Sequence, residues 1–271
     1  MNASNIFQIT DRGDPRIAPF TRVRERDLTG GADGRFIVEG KVPLSILLTR
    51  SRFEIDSLFL CETRLHPLAE MLRTVPDRVP VYTAPQSLMN DIAGFPIHRG
   101  ILACARKTIG LNLHDLISNQ NRAKRILVLN QISNHDNVGA AFRNAAAFGV
   151  DGILLDGQSC DPLYRKAIRV SSGASLWLPF HHGGSGEDHL HALKANDFEI
   201  WAMTPRRDAA ALQTQPVPDR LAVLLGAEGP GLPEALIAAA HPVRIPMSPG
   251  YDSINVATAG AIALAHVFSA E

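Results

Sequence analysis

Three stretches combine polar side chains with glycines at spacings that suit chemistry on a small molecule. The first is LLGAEGPGL (224–232), where an apolar run ends in a turn holding Gly226, Gly229 and Gly231. Glycines this dense let a backbone fold tightly and let another chain or a ligand come close to it. Neither GKS/GKT nor GxGxxG is present, so this is not a Walker loop or a dinucleotide fingerprint. Glu228 inside the turn would repel phosphate, and it suits a ligand with a positive centre or hydroxyl donors. The same residues would also make a plain tight turn with an exposed acid.

The second stretch is IPMSPGYDSINVAT (245–258), in which Ser253 and Asn255 stand at the start of a small-residue helix. Either could cap that helix. The third is HDNVGAAFRNAAAFG (135–149), which follows a buried-strand run and carries Asn137 and Arg143. A helix over about 138–148 puts Gly139, Arg143 and Ala147 on one face. Its alanines keep it thin, so another backbone can approach it. An alanine-rich core helix with a surface arginine fits the composition as well.

The elements that position these stretches read as two α/β sets. In the first, strands at 36–41, 55–61, 79–84 and 101–107 alternate with helices at 42–50, 65–75 and 85–94. Such alternation implies parallel pairing with helices on the sheet faces. Residues 1–16 read as a flexible lead, 17–110 as the first domain and 111–124 as a polar linker. Residues 125–271 form the second domain, with five or six parallel strands and ligand sites beyond their C-terminal ends. Its strands are expected at 125–132, 152–157, 176–181, 199–203, 221–225 and 243–247, with helices at 162–174 and 187–196. Residues 204–219 read as a linker. Arginines 22, 24 and 26 alternate along RVRERDL and suit either a solvated helix start or phosphate contact.

Composition narrows the class. The chain has 271 residues, 27 Lys and Arg against 27 Asp and Glu, and 45% hydrophobic residues. Zero net charge argues against a protein that coats nucleic acid. The first 110 residues hold 15 basic and 12 acidic side chains, which favours that part for docking a polyanion. No apolar run approaches the roughly 20 residues needed to span a bilayer, and the N-terminus lacks the pattern of a signal peptide. Cys61, Cys104 and Cys160 form neither a metal spacing nor a disulfide framework. A cytoplasmic location is expected. His181, His182, His189 and His191 are poorly spaced for zinc and read as a loop and a solvated helix, so no metal is expected.

Taken together, Asn137, Gly139 and Arg143, then LLGAEGPGL, then IPM and SINVATAGAIAL (253–264) resemble the three signatures of the SpoU-type 2′-O-ribose RNA methyltransferases of the SPOUT superfamily. The resemblance covers 125–268 strongly. FIVEG (36–40) and GFPIHRGILA (94–103) resemble, less closely, a ribosomal-protein-like substrate-binding domain. The resemblance implies S-adenosylmethionine as cofactor, a deep C-terminal trefoil knot, a homodimer and a tRNA or rRNA substrate. It places the cofactor at Gly226, Ala227, Ile245, Met247 and Ile254. It places the polar reaction site at Asn137, Arg143, Glu228, Ser253 and Asn255. Arg22, Arg24, Arg26, Arg50 and Arg52 are the candidate RNA anchors. The family often has SLNVS where this chain has SINVA, so Ala257 supplies no hydroxyl. A non-catalytic RNA-binding or ribosome-assembly protein of the same fold is the alternative.

Overall fold

The computed structural model describes residues 5–21, 34–97, 99–107, 110–118 and 124–270. They fall into two compact units, one of residues 1–109 with 163–177, the other of residues 110–162 with 178–271.

The first unit is a five-stranded sheet with helices. It runs β1 (Ile6–Gln8), β2 (Arg35–Glu39), α1 (Lys41–Thr49), β3 (Glu54–Cys61), α2 (Ala69–Leu72), β4 (Val81–Ala84), α3 (Gln86–Ala93) and β5 (Ile101–Arg106). The strand order is β1-β4-β3-β5-β2. The expected parallel pairing holds for β3 with β4, and β1, where no strand was expected, also runs parallel to β4, but β5 runs antiparallel to both β3 and β2. Side chains explain the reversal. Gln86, at the start of α3, donates to the Ile97 carbonyl at 2.8 Å, and the Ile97 amide donates to Asn90 Oδ1 at 2.8 Å. These bonds fold the chain after α3 back along the helix, so β5 starts at the edge where β4 ended.

For residues 5–16 the expected flexible lead is corrected too. Ile6–Gln8 form β1, and Ile9, Ile17 and Phe20 are fully buried in the core that also holds Phe59, Met89 and Leu102. Their apolar surface anchors a segment whose polar composition hides it.

Residues 163–177, expected within the second domain, cluster with the first unit through α6 (Arg165–Val170). Glu39 at the end of β2 is 5% exposed. It accepts a hydrogen bond from Arg165 and lies 3.7 Å from Arg169. A buried carboxylate that loses its cation is strongly destabilising. Arg165→Ala is expected to destabilise the protein by about 3 kcal/mol, read by denaturant unfolding. A change below about 0.5 kcal/mol would show that Arg169 alone suffices.

The second unit is one sheet of seven strands, all paired in parallel. It contains α4 (Leu113–Ile117), β6 (Arg125–Leu129), α5 (His135–Ala147), β7 (Gly152–Leu155), β8 (Phe180–His182), α7 (Gly186–Lys194), β9 (Glu199–Met203), β10 (Ala210–Ala211), β11 (Leu221–Leu225), α8 (Glu234–Ala238), β12 (His241–Arg244) and α9 (Val256–Ser269). The order is β10-β12-β9-β11-β6-β7-β8. The strand beyond the five or six expected is two-residue β10, inside the stretch read as a linker. The linker expected at 111–124 contains α4, whose Leu116 and Ile117 join the core with Val128, Leu224 and Leu236. Leu176 belongs to a short 3-10 turn and β8 begins only after Pro179, because proline brings no N–H to a ladder.

His191 is exposed on α7 as expected, and the other three histidines differ from expectation. His181 and His182 lie in β8, and His189 is fully buried on α7. His181 Nδ1, His182 Nε2 and His189 Nε2 lie 2.9–3.0 Å from the carbonyls of Leu111, Ser159 and Gly183. Burial pushes the His189 imidazole below its ordinary pKa. No helix among the described residues is long and apolar enough to cross a membrane.

From β6 the chain moves outward through β7 and β8, then crosses to β9 on the far side of β11. Connections therefore diverge around β6 and β11. A crevice opens at such a point beyond the strand C-termini.

Candidate active site

Every residue of β11 is buried, and the strand ends directly in the glycine turn. A Cβ added to Gly226 would stand 2.6 Å from the Leu232 amide nitrogen and 2.7 Å from the Gly231 carbonyl carbon. Only glycine fits there. Gly229 and Gly231 take φ values of +86° and +73°, which let the turn close with the Gly231 amide donating to the Ala227 carbonyl at 3.0 Å.

α9 settles onto this strand because its sequence is small. A Cβ on Gly260 would lie 2.7 Å from Leu225 Cδ1. Asn255 is its N-cap, with Oδ1 accepting from the amides of Ala257 at 3.0 Å and Thr258 at 3.1 Å. Ala257, where the family often has serine, is buried, and the neighbouring Thr258 is exposed. α5 begins earlier than the sequence suggests, with Asn134 as N-cap, so Asn137 sits inside its first turn. Asn144, two turns on from Asn137, donates to the Ala257 carbonyl at 2.9 Å. One face of α5 therefore meets the start of α9.

These contacts assemble a polar chain. Asn255 Nδ2 donates to Asn137 Oδ1 at 2.9 Å and to Glu228 Oε1 at 3.0 Å. Residues 137, 228 and 255 come from three separate stretches. Asn137 is 6% exposed, and its Nδ2 group is buried with no partner among the described residues. A buried donor left open costs free energy unless something occupies it.

Beside this network lies a cleft of about 630 Å³, formed by the ends of β9 and β11 and the segment after β12. Gly226, Ala227, Ile245, Met247 and Ile254 line it, as do Glu228, Ser253 and Asn255. Asn137 reaches it only through Asn255. Ser253 is exposed and lies outside α9, with its hydroxyl 3.4 Å from Asp252 Oδ1.

Arg143 is exposed, lies outside the cleft lining, and its side chain makes no hydrogen bond or ion pair with a described residue. It stands one residue, or about 100° of helix, from the Asn137–Asn144 face. Arg22, Arg24 and Arg26 lie outside the described residues. Arg50 and Arg52 belong to the first unit. Arg50 stacks on Trp177 at 3.4 Å, and burial pulls the half-buried Arg52, over the Phe53 ring at 5.1 Å, down to about 10.

The sequence reading missed the wall formed by Met203, Thr204, Pro205 and Arg206. Arg206 holds both Glu234 oxygens at 2.8 and 3.0 Å and Asp208 at 2.8 and 3.1 Å. Hydrogen bonding to the two carboxylates raises its pKa above the ordinary arginine value. It ties the β9 loop to α8 across one side of the cleft. The only hint in sequence was polar residues directly after an apolar strand.

The arrangement offers apolar walls for a flat ring, the main chain of a glycine turn, and Glu228, the lining carboxylate that Arg206 does not hold. It suits a compact ligand with both a planar part and a cationic part.

Comparison with known proteins bears on that ligand. The pattern of the SpoU rRNA Methylase family matches residues 124–265. The chain is 36% identical over 267 residues to an uncharacterized tRNA/rRNA methyltransferase of Mycobacterium tuberculosis, covering 96% of this chain and 90% of that one. It is 28% identical over 208 residues to the 23S rRNA (guanosine-2′-O-)-methyltransferase RlmB of Acinetobacter baylyi, covering 75% and 83%. An AdoMet-bound rRNA methyltransferase from Sinorhizobium meliloti superposes with a TM-score of 0.79 at 22% identity, over 97% of each chain. An RNA 2′-O ribose methyltransferase structure superposes with a TM-score of 0.79 at 24% identity, over 97% of this chain and 99% of that one. At these identities the two structures share the fold.

Proposed function

We propose, for a chain that belongs to the SpoU rRNA methylase family, transfer of a methyl group from S-adenosylmethionine to a ribose 2′-hydroxyl of structured RNA, tRNA or rRNA. The observation that carries this reading is the convergence of the Gly226 cleft with the Asn137–Asn255–Glu228 network. The cleft fits the cofactor. Its volume is that of a small-molecule site, the wall at Gly226 is a turn packed so tightly on its own backbone that only glycine fits, and no lysine equips the turn for phosphate.

Bound there, S-adenosylmethionine supplies an electrophilic methyl group on a positively charged sulfur. Ile245, Met247 and Ile254 provide apolar surface for its flat base, and the main chain at Gly226 and Ala227 provides hydrogen bonds. Asn255 fixes the Glu228 carboxylate at the mouth, where negative charge favours a cationic ligand. Asn137, behind Asn255, holds that bridging side chain in place. Arg143 stays protonated at neutral pH, since free arginine has a pKa above about 12. Its role is therefore to gather RNA phosphate and stabilise the oxyanion that develops as the 2′-hydroxyl reacts, not to accept the proton.

The proposal includes a homodimer, a trefoil knot where the chain returns from β12 to seat α9, and a cytoplasmic location. Ile262 and Phe268 on α9 are exposed apolar side chains, 40% and 53% accessible, and Phe148, directly after α5, lies beside Phe268. Burying them between two copies is favourable. The first unit serves RNA binding and the second methyl transfer.

Calorimetry with S-adenosylmethionine tests the reading first. Binding is expected, and its absence would favour the non-catalytic scaffold. Asn255 offers a sharper test. Asn255→Ala loses both cap and network, whereas Asn255→Ser keeps a capping oxygen but cannot bridge Glu228 and Asn137. The alanine variant is expected to lose about 1 kcal/mol of stability and the serine variant much less. Both are expected to lose about tenfold or more in turnover, from about 1–3 kcal/mol of unmet hydrogen bonding. A serine variant with full turnover would remove the network from the mechanism.

A further inference from the structure

A second recess lies in the first unit, at the sheet edge where β2 and β3 end and β5 begins. It has a volume of about 210 Å³ and is lined by Lys41, Arg64, Pro67, Leu68, Arg99 and Ile101. Three of its six lining residues are cations, and none is an acid.

Two glycines at positive φ shape the backbone beside the recess. Gly40 takes φ +98°, a conformation that favours glycine, and its Cβ position is in ordinary contact with Arg99 Cδ at 3.6 Å. Gly100 at φ +59° sits under Arg64, with a Cβ position 3.6 Å from Arg64 Cγ and only 2.7 Å from Cys61 Cβ. The strand ends bring the parts together: Gly40 N donates to the Ile101 carbonyl at 3.1 Å and Cys61 N to the Gly100 carbonyl at 2.9 Å.

Pairing separates these cations from many of their neighbours. In the same unit Arg16 pairs with Asp14, Arg35 and Arg106 with Asp56, and Arg165 and Arg169 with Glu39. The side chains of Lys41, Arg64 and Arg99 form no hydrogen bond or ion pair with any described residue. Arg64 Nε is buried and has no partner. Like charges gathered around a recess, with a buried guanidinium N–H left open, call for an anion. Lys41 is also the first residue of α1, whose N-terminus has no side-chain cap and so adds a favourable dipole.

We propose that Lys41, Arg64 and Arg99 form a phosphate-binding recess for the RNA backbone, separate from the methyl-transfer cleft. An open-mouthed recess lined by two arginines and a lysine suits a phosphodiester, which arginine holds through two parallel N–H bonds. The inference rests on the reading of the substrate as RNA, and it deepens that reading by naming a docking point outside the reaction site.

The test uses the full chain with purified total tRNA and total ribosomal RNA in turn. Affinity is measured by filter binding across a salt series for the wild type, Lys41→Gln, Arg64→Gln, Arg99→Gln and the triple variant. Each lost phosphate contact lowers the log–log salt slope by about 0.7–0.9. The triple variant is expected to lose about two slope units and at least tenfold in affinity. Its S-adenosylmethionine heat and melting temperature should be unchanged, and in methyl transfer KM should rise more than kcat falls. An unchanged slope and affinity would overturn the proposal. So would inorganic phosphate binding that is lost in the variants while RNA binding persists, which would mark a small-anion pocket. Should the triple variant misfold, Lys41→Gln and Arg99→Gln, both exposed, carry the same test. Absence of cofactor heat in the wild type would refute methyl transfer and leave the salt-slope result standing on its own.

Discussion

Gly226→Ala is expected to weaken S-adenosylmethionine binding by about ten- to a hundredfold, the equivalent of about 1–3 kcal/mol of overpacking. The added methyl group would meet main-chain atoms of Gly231 and Leu232 at 2.6–2.7 Å. Backbone cannot rotate aside as a flexible side chain can, so the turn must open and the cleft wall must move with it. Gly226→Val should abolish detectable binding. Gly229→Ala is the control. Nothing lies within 4 Å of its Cβ position, so it suffers only the strain of φ +86°, and it should bind better than Gly226→Ala. Titration calorimetry on the three variants reads the difference. Equal affinity in Gly226→Ala and the wild type would mean that the turn is not the cofactor's cradle.

Arg143→Ala is expected to lower kcat by about 10²–10³ while cofactor affinity survives. That loss matches the removal of one preorganised donor from a developing oxyanion. The side chain is exposed and unpaired among the described residues, so stability should change by less than about 0.5 kcal/mol. Arg143→Lys keeps the charge and loses the planar fork, and should recover only part of the rate. Retained turnover in Arg143→Ala, followed as tritiated methyl incorporation into RNA, would remove the residue from the reaction. Lost cofactor binding would show instead that it acts on the cleft.

Much of this site was legible because its signals are local. The glycine spacing at 226, 229 and 231 predicts the turn, and Asn255 before VATAGAIA marks the start of α9. The alternating elements predict two α/β sets. What escaped depended on distant partners. The bond from Asn255 to Asn137 spans 118 positions, and neither asparagine announces the other. Residues 163–177 joined the first unit through Arg165 and Glu39, 126 positions apart. Strand β5 took its antiparallel direction from Gln86 and Asn90, which a strand–helix rhythm does not record. The three-residue β1 was too short to show a period among polar neighbours. Arg206 became a cleft wall because Glu234 and Asp208 hold it, inside a stretch with no periodicity at all.

One measurement tests the central claim most directly. The protein is incubated with methyl-tritiated S-adenosylmethionine and total RNA from cells lacking it, and the RNA is then digested to nucleosides and separated. The account predicts label in 2′-O-methylated nucleosides. Label confined to base-methylated nucleosides, or no label while the cofactor binds, would contradict it.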